Sequence, residues 1–313
     1  MLRLLRLTFL RAPLGFLVAA LLVAAGAQPV TPNAALAAAE LPYGQGLLWR
    51  VQRDGGPANH VLGTMHSTDA RLRKLPREID RAIDESRVMA FELLESQEDV
   101  ERMGQAMRLP PGRRLEDIIG RELFGRTAQA LAPLGMPAAG LQGFKPWALS
   151  LFLIFPPIEV VRRAQGEPAY DTWLQAEGRR RGKTLQALES YDEQIEIFDG
   201  MSEAEQIAMV TDMLADHANI EAHFNRMFRA YLKGDIAVLM EEANDISGVS
   251  DVGTAQRLKA RLIDDRNRIM AARIAPLLRD GGVFVAIGAA HLPGQGGVLA
   301  RLEARGYSIT RAY

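Results

Sequence analysis

Apolar residues along this chain gather in short runs near both ends, on either side of a long middle whose spacing is helical. Residues 47–53 and 60–63 are strand-like, and Asp54-Gly55-Gly56-Pro57 between them is dense in turn residues, which predicts a hairpin. A helix is expected over 76–85, with proline at its first turn, and the apolar run 88–94 predicts a buried strand. From 97 to 182 the helical spacing is irregular, interrupted at Pro110-Pro111, Pro133 and Pro156-Pro157. Within it, residues 148–155 are apolar almost all round. That stretch is too short to cross a bilayer, so a helix buried in the core is expected.

Strand character returns over 184–188. Ser202 and Glu205 have capping-box spacing, and the helix they start is expected to continue to about Lys233. Its core stripe would be Val210, Met213, Leu214, Ile220, Phe224, Met227 and Tyr231. A second long helix is expected over 254–279, ended by Gly281-Gly282, and 283–288 is a strongly apolar strand. A helix over 297–304 and a strand over 307–311 close the chain. The fold class expected is therefore α+β (mixed α/β). Its central sheet would be drawn from strands near both ends of the chain, with a large helical insertion at about 97–280.

Composition narrows the function classes. With 313 residues and 48% hydrophobic content, the chain can bury a substantial core. There is no cysteine, which excludes disulfides, zinc–thiolate sites, a cysteine nucleophile and a lipid-modified N-terminal cysteine. Arg3, Arg6 and Arg11 precede an apolar stretch over 14–27, and no acid occurs before Glu40, the pattern of a signal peptide over residues 1–39. Cleavage after Ala27 and after Ala39 both match the small-residue rule, and the later site is preferred because the folded pattern begins near Leu47. The expectation is export to the periplasm or the exterior, with residues 40–313 as the folded domain and no stable membrane span after cleavage. An uncleaved anchor is the alternative, for which the apolar run is short. Loss of the leader moves the formal net charge from −1 to −4, which argues against nucleic acid as a partner.

The candidate chemistry lies at strand ends. Val61-Leu62-Gly63-Thr64-Met65-His66 and Ala286-Ile287-Gly288-Ala289-Ala290-His291 share one plan: an apolar strand, a glycine, two small or apolar residues, then histidine. Only five histidines are present, so two copies of this Gly-x-x-His pattern after buried strands point to one shared polar site. Glu92 stands inside the otherwise apolar run 88–94, and Glu189 ends the run from Thr184. A buried carboxylate needs a cation, a metal or donors, so each glutamate is either a site residue or half of an arginine pair. Arg266 falls on the apolar stripe of its helix, where it either snorkels outward or reaches a buried anion, and Asn267 shares the adjoining edge. His60 opens a strand, His217 is expected to be a hydrogen-bonded core residue, and the spacing of His217 and His223 is not that of a helical metal pair.

Taken together, Leu-Gly-Thr-Met-His (62–66), Ala-Phe-Glu (90–92) and Tyr-Asp-Thr-Trp-Leu (170–174) resemble segments of the TraB/GumN family, part of the wider group that contains the Tiki metalloproteases. So do Gly-Lys-Thr-Leu-Gln-Ala-Leu-Glu (182–189), Arg-Asn (266–267) and Gly-Ala-Ala-His-Leu-Pro-Gly (288–294). The resemblance implies a metal-dependent peptidase site at His66, His291 and Glu92, with manganese or cobalt; a mixed nitrogen and oxygen donor set by itself suits zinc, manganese or cobalt. Glu92 would be a carboxylate ligand or the base for the attacking water. Arg266 would stabilise an oxyanion, with Asn267 or Glu189 orienting the ligands. Where the family pattern carries a second acid after the first glutamate, this chain has Leu94, and Glu95 follows on the opposite strand face. The reading from a different class is a non-catalytic binding protein for haem, a metal or a hydrophobic peptide.

Overall fold

The computed structural model describes residues 41–53, 55–246 and 252–313. The leader expected over 1–39 lies outside the described residues. The strands are β1 (Leu48–Gln52), β2 (Asn59–Thr64), β3 (Val88–Phe91), β4 (Thr184–Ala187), β5 (Val283–Gly288) and β6 (Ser308–Arg311). They form one mixed sheet in the order β4-β3-β5-β2-β1-β6. β1 and β2 are the expected hairpin, with Leu48 opposite Leu62. The pairs β2/β5, β5/β3 and β3/β4 are parallel, so their connections must cross over, and helices supply them.

β5 lies in the interior of the sheet and all six of its residues are buried, as its unbroken apolar run requires of a strand covered on both faces. Its pleat divides the core. Phe284 and Ala286 join Leu62, Met89 and Phe91 against the helical insertion. Val283, Val285 and Ile287 join Val61 and Ala90 against the helices Asp265–Leu277 and Val298–Glu303. The edge strands β4 and β6 are short and mostly exposed, which limits pairing with other chains. The stretch read as apolar all round is the helix Pro146–Leu153, every residue of which is buried. Trp147 stacks on Phe198 at 5.1 Å and donates its indole N–H to Asp199. Burying a large apolar side chain stabilises by about 1.5–3 kcal/mol, so this helix is a main tie between the insertion and the rest of the core. No helix among the described residues is long and apolar enough to cross a membrane.

Three expectations need correction. The helix expected from Ser202 to Lys233 does begin at a capping box, but it is two helices, Glu203–Ala215 and Ile220–Leu232, around a short turn. The break is at Asp216, which leaves helical dihedrals (φ −123°, ψ 19°) and accepts the Asn219 N–H on its carbonyl, while its carboxylate accepts from the Asn219 side chain and pairs with His223 Nε2 at 2.8 Å. His217, expected in the core, is therefore half-buried in the turn, and Leu214 and Met227 of the stripe are also half-buried. The helix expected over 254–279 carries a π turn at Ala260–Asp264 before Asp265–Leu277, a widening often found at functional sites. Immediately after it, the sequence neighbours Arg266 and Asn267 are both buried. Finally, β3 stops at Phe91 rather than Leu94, so Glu95 lies beyond the strand and not on its opposite face.

Candidate metal centre

Because β2, β3, β4 and β5 run parallel, their carboxyl ends share one edge of the sheet, the edge at which open α/β sheets bind ligands. His66 follows β2, Glu92 follows β3, Glu189 follows β4 and His291 follows β5, and all four are buried. Thr64 pairs with Gly288, which sets the two Gly-x-x-His segments side by side. A Cβ on Gly63 would stand 2.8 Å from Leu292 Cδ1 and 3.0 Å from the Ala289 Cα, so only glycine permits this approach. A Cβ on Gly288 would stand 3.2 Å from Glu92 Oε1, 3.5 Å from His291 Cδ2 and 3.7 Å from His66 Nε2. Glu92 Oε1, His66 Nε2 and the edge of the His291 ring thus border the space beside Gly288, and any side chain on residue 288 would enter it.

Both imidazoles are held from behind. His66 Nδ1 lies 2.7 Å from Asp171 Oδ2, and Asp171 also accepts from the Thr64 hydroxyl. Asp171 sits in the first turn of the helix Tyr170–Arg180, where the helix dipole favours a carboxylate. His291 Nδ1 lies 2.6 Å from Asn267 Oδ1, while Asn267 Nδ2 donates to the Gly296 carbonyl at 3.0 Å. With Nδ1 facing an outer acceptor, Nε2 is the atom each ring turns toward the centre. Among the described residues, His291 Nε2 is buried without a hydrogen-bond partner, 3.9 Å from Glu92 Oε1.

The two rings differ in electrostatics. Burial and the neighbouring Arg266 push His291 down to about 3, so it is neutral over the whole physiological range. Burial also works against protonated His66, but the Asp171 carboxylate, assisted by Glu92, overcomes it and raises the pKa.

Arg266 joins the two glutamates. Its Nη2 donates to Glu92 Oε2 and to Glu189 Oε2, both at 2.6 Å, and its Nε donates to Glu189 Oε1 at 2.9 Å. Nη1 caps the Leu262 carbonyl at 3.3 Å. The arginine reaches buried anions, and the same arginine serves both. Glu92 Oε1 also accepts the Gly288 amide. Burial alone would raise the Glu92 pKa, yet Arg266, the two imidazoles and that amide hold it well below the usual carboxylate range.

Among the described residues, no three His, Asp or Glu side chains stand ready as a closed coordination set. The donor types nonetheless fit a divalent cation: imidazole Nε2 atoms oriented from their Nδ1 side, an ionised carboxylate oxygen, and a glycine that leaves the space between them open. The other histidines take no part in this arrangement. His60 lies on β2, His217 is in its turn, and His223 is engaged by Asp216 and Arg226. Glu95 does not supply a second carboxylate here; it lies near Arg163 and Asp99, and burial pushes it up to about 7.

Sequence reasoning did not assign Asp171 a role. Its signal was available: Asp171, Leu174, Gln175 and Gly178 form the buried face of their helix, and an acid on such a face needs a partner.

The family model for the TraB/PrgY/gumN family matches residues 47–311. Among curated relatives, Metalloprotease TIKI1 of Homo sapiens is 24% identical over 312 residues, covering 85% of this chain and 61% of that protein. Metalloprotease TIKI2 of Danio rerio is 25% identical over 310 residues, covering 84% of this chain and 60% of the relative. The chain thus spans about three fifths of the length of these relatives. No solved structure matches it. A match that takes in all six strands and the whole candidate centre identifies the chain as a member of the TraB/PrgY/gumN family.

Proposed function

We propose that this protein is an exported, divalent-metal-dependent hydrolase acting on peptides. The observation that carries the reading is the convergence on Gly288 of His66 Nε2, the His291 ring and Glu92 Oε1, with both Nδ1 atoms held by outer partners. The relatives named metalloproteases support peptides as the substrate class. The basic, apolar and small-residue order of residues 1–39 supports export, to the periplasm or the exterior.

In this reading His66 and His291 hold the ion through Nε2, and Glu92 offers Oε1. A manganese, cobalt or zinc ion held there supplies Lewis acidity toward a carbonyl and toward water. Asp171 and Asn267 fix the tautomers, so that each ring presents a lone pair to the centre. Glu92, kept ionised, balances positive charge better than it accepts protons at neutral pH. Arg266 serves the centre in this reading chiefly by fixing the two carboxylates: its Nε and Nη2 engage Glu92 and Glu189, and Glu189 in turn orients Arg266.

The test is metal analysis of the purified protein, followed by a peptide library read by mass spectrometry with added manganese, cobalt or zinc. Cleavage by wild type that disappears in His66→Ala and in His291→Ala is the expected result. No bound metal, and no difference between wild type and the double variant, would overturn the proposal. The hold of Arg266 on Glu92 favours a second reading, binding of haem, a metal or a hydrophobic peptide without turnover. Tight binding of one of these with no cleavage selects it.

A further inference from the structure

We infer that the helix Pro157–Ala164, through Glu159 and Arg163, positions His66. The two Gly-x-x-His segments need different support. His291 ends a short turn, Ala289–His291, that closes on its own backbone through Leu292 N–H to the Ala289 carbonyl. Around His66 the backbone closes a tight three-residue turn, Ser67 N–H to the Met65 carbonyl at 2.8 Å, but residues 65–69 belong to no helix or strand, and their remaining polar groups are held from outside.

Glu159 and Arg163 stand four apart on one helical face and are both buried, while Ile158 on the same helix is 49% exposed. Glu159 Oε1 accepts the Ser67 hydroxyl at 2.6 Å. Its Oε2 accepts the Thr68 amide at 2.8 Å and the Thr68 hydroxyl at 2.9 Å. Arg163 Nη2 donates to the His66 carbonyl at 2.6 Å, and its guanidinium lies 4.5 Å from the Phe155 ring centre. Three consecutive residues, His66, Ser67 and Thr68, are thereby each bonded to one helix of the insertion.

Two buried charges are a costly way to fill space, and apolar side chains would pack there at least as well. What the charged pair adds is direction. It holds the carbonyl of His66 and the amide two residues on, so the backbone that aims the imidazole at the Gly288 point cannot rotate freely. Asp171 then sets the ring from its Nδ1 side. The consequence for metal affinity rests on His66 being a ligand; the positioning itself does not.

The experiment uses the full folded domain and two readouts. In metal-free protein, side-chain nitrogen NMR of the histidines reports the His66 tautomer, identified with a His66→Gln control. Cobalt(II) affinity is measured by calorimetry. Glu159→Gln and Arg163→Met, with circular dichroism unchanged, are expected to give mixed His66 tautomers and cobalt binding weaker by about 10- to 100-fold, the range for lost outer-shell support. Arg163→Lys, which keeps a donor for the carbonyl but loses the planar group over Phe155, is expected to recover part of the affinity lost in Arg163→Met. If these variants fail to fold, Thr68→Val removes one bond to Glu159 alone and is expected to broaden the His66 signal. A single Nδ1-protonated tautomer and cobalt affinity within about twofold of wild type in the folded variants would overturn the inference. If wild type binds no cobalt, the metal reading fails, while the tautomer still decides the positioning.

Discussion

The two Gly-x-x-His segments share a sequence plan and lie on paired strands, yet their surroundings are nearly opposite. His66 emerges into irregular backbone and is backed by a carboxylate, Asp171. His291 ends a compact turn, is backed by an amide, Asn267, and lies close enough to Arg266 to feel its charge. One ring is therefore drawn toward protonation and the other is held neutral. The lesson is that a repeated motif fixes where two side chains emerge, and the elements behind them decide what each imidazole does.

The largest effect expected from breaking this contrast comes from Arg266→Met. It leaves Glu92 and Glu189 buried without their shared cation and is expected to cost about 3–5 kcal/mol in denaturant unfolding. It also removes a charge that depresses His291, whose pKa should rise. A loss well under about 1 kcal/mol would mean the pair is far more solvated than its burial indicates.

Next come the glycines. Gly63→Ala drives a methyl against Leu292 and the Ala289 backbone and should cost about 1–3 kcal/mol in thermal unfolding. Gly288→Ala meets side-chain atoms at looser distances. It should cost less stability but reduce metal affinity, because its methyl fills the point between the two rings. Equal losses of stability with metal affinity intact would contradict that division.

Exchange of the anchors produces the smallest and most specific effects. Asp171→Asn should lower the His66 pKa, and Asn267→Asp should raise that of His291, each followed by NMR titration of metal-free protein. The linked stability has opposite signs at the two sites. The folded pKa of His66 is raised, so its contribution is fully present below about 6.5 and is lost as pH rises through the folded value. The folded pKa of His291 is lowered, so its contribution is lost as pH falls from about 6.5 toward 3. The stability deficit of Asp171→Asn should therefore shrink as pH rises above about 6.5 and through the folded value. A deficit that grows with pH would reverse the assignment for His66.

Much of this was legible in the chain. Continuous apolar runs located the strands, and period-two pleating then assigned alternate residues of β5 to two cores. The site residues were readable because they stand within or just past apolar runs or on an apolar helix face, where a polar residue needs a reason. The breaks at Asp216 and at Ala260–Asp264 were not readable. They are local changes of backbone geometry, at Asp216 and over Ala260–Asp264, inside stretches whose apolar spacing stays helical. Asp171, Glu159 and Arg163 escaped for a related reason. They lie in short helices amid ordinary charged residues, and only the folded chain brings them to residues 66–68 from about a hundred positions away.

In the proposed function both segments serve one divalent ion. Cobalt(II) titration of wild type, His66→Ala and His291→Ala, followed by visible absorption, tests it most directly. The account predicts one equivalent bound per wild-type chain and loss of that equivalent in each single variant. Wild type that binds no cobalt, or single variants that keep wild-type stoichiometry and spectrum, would contradict it.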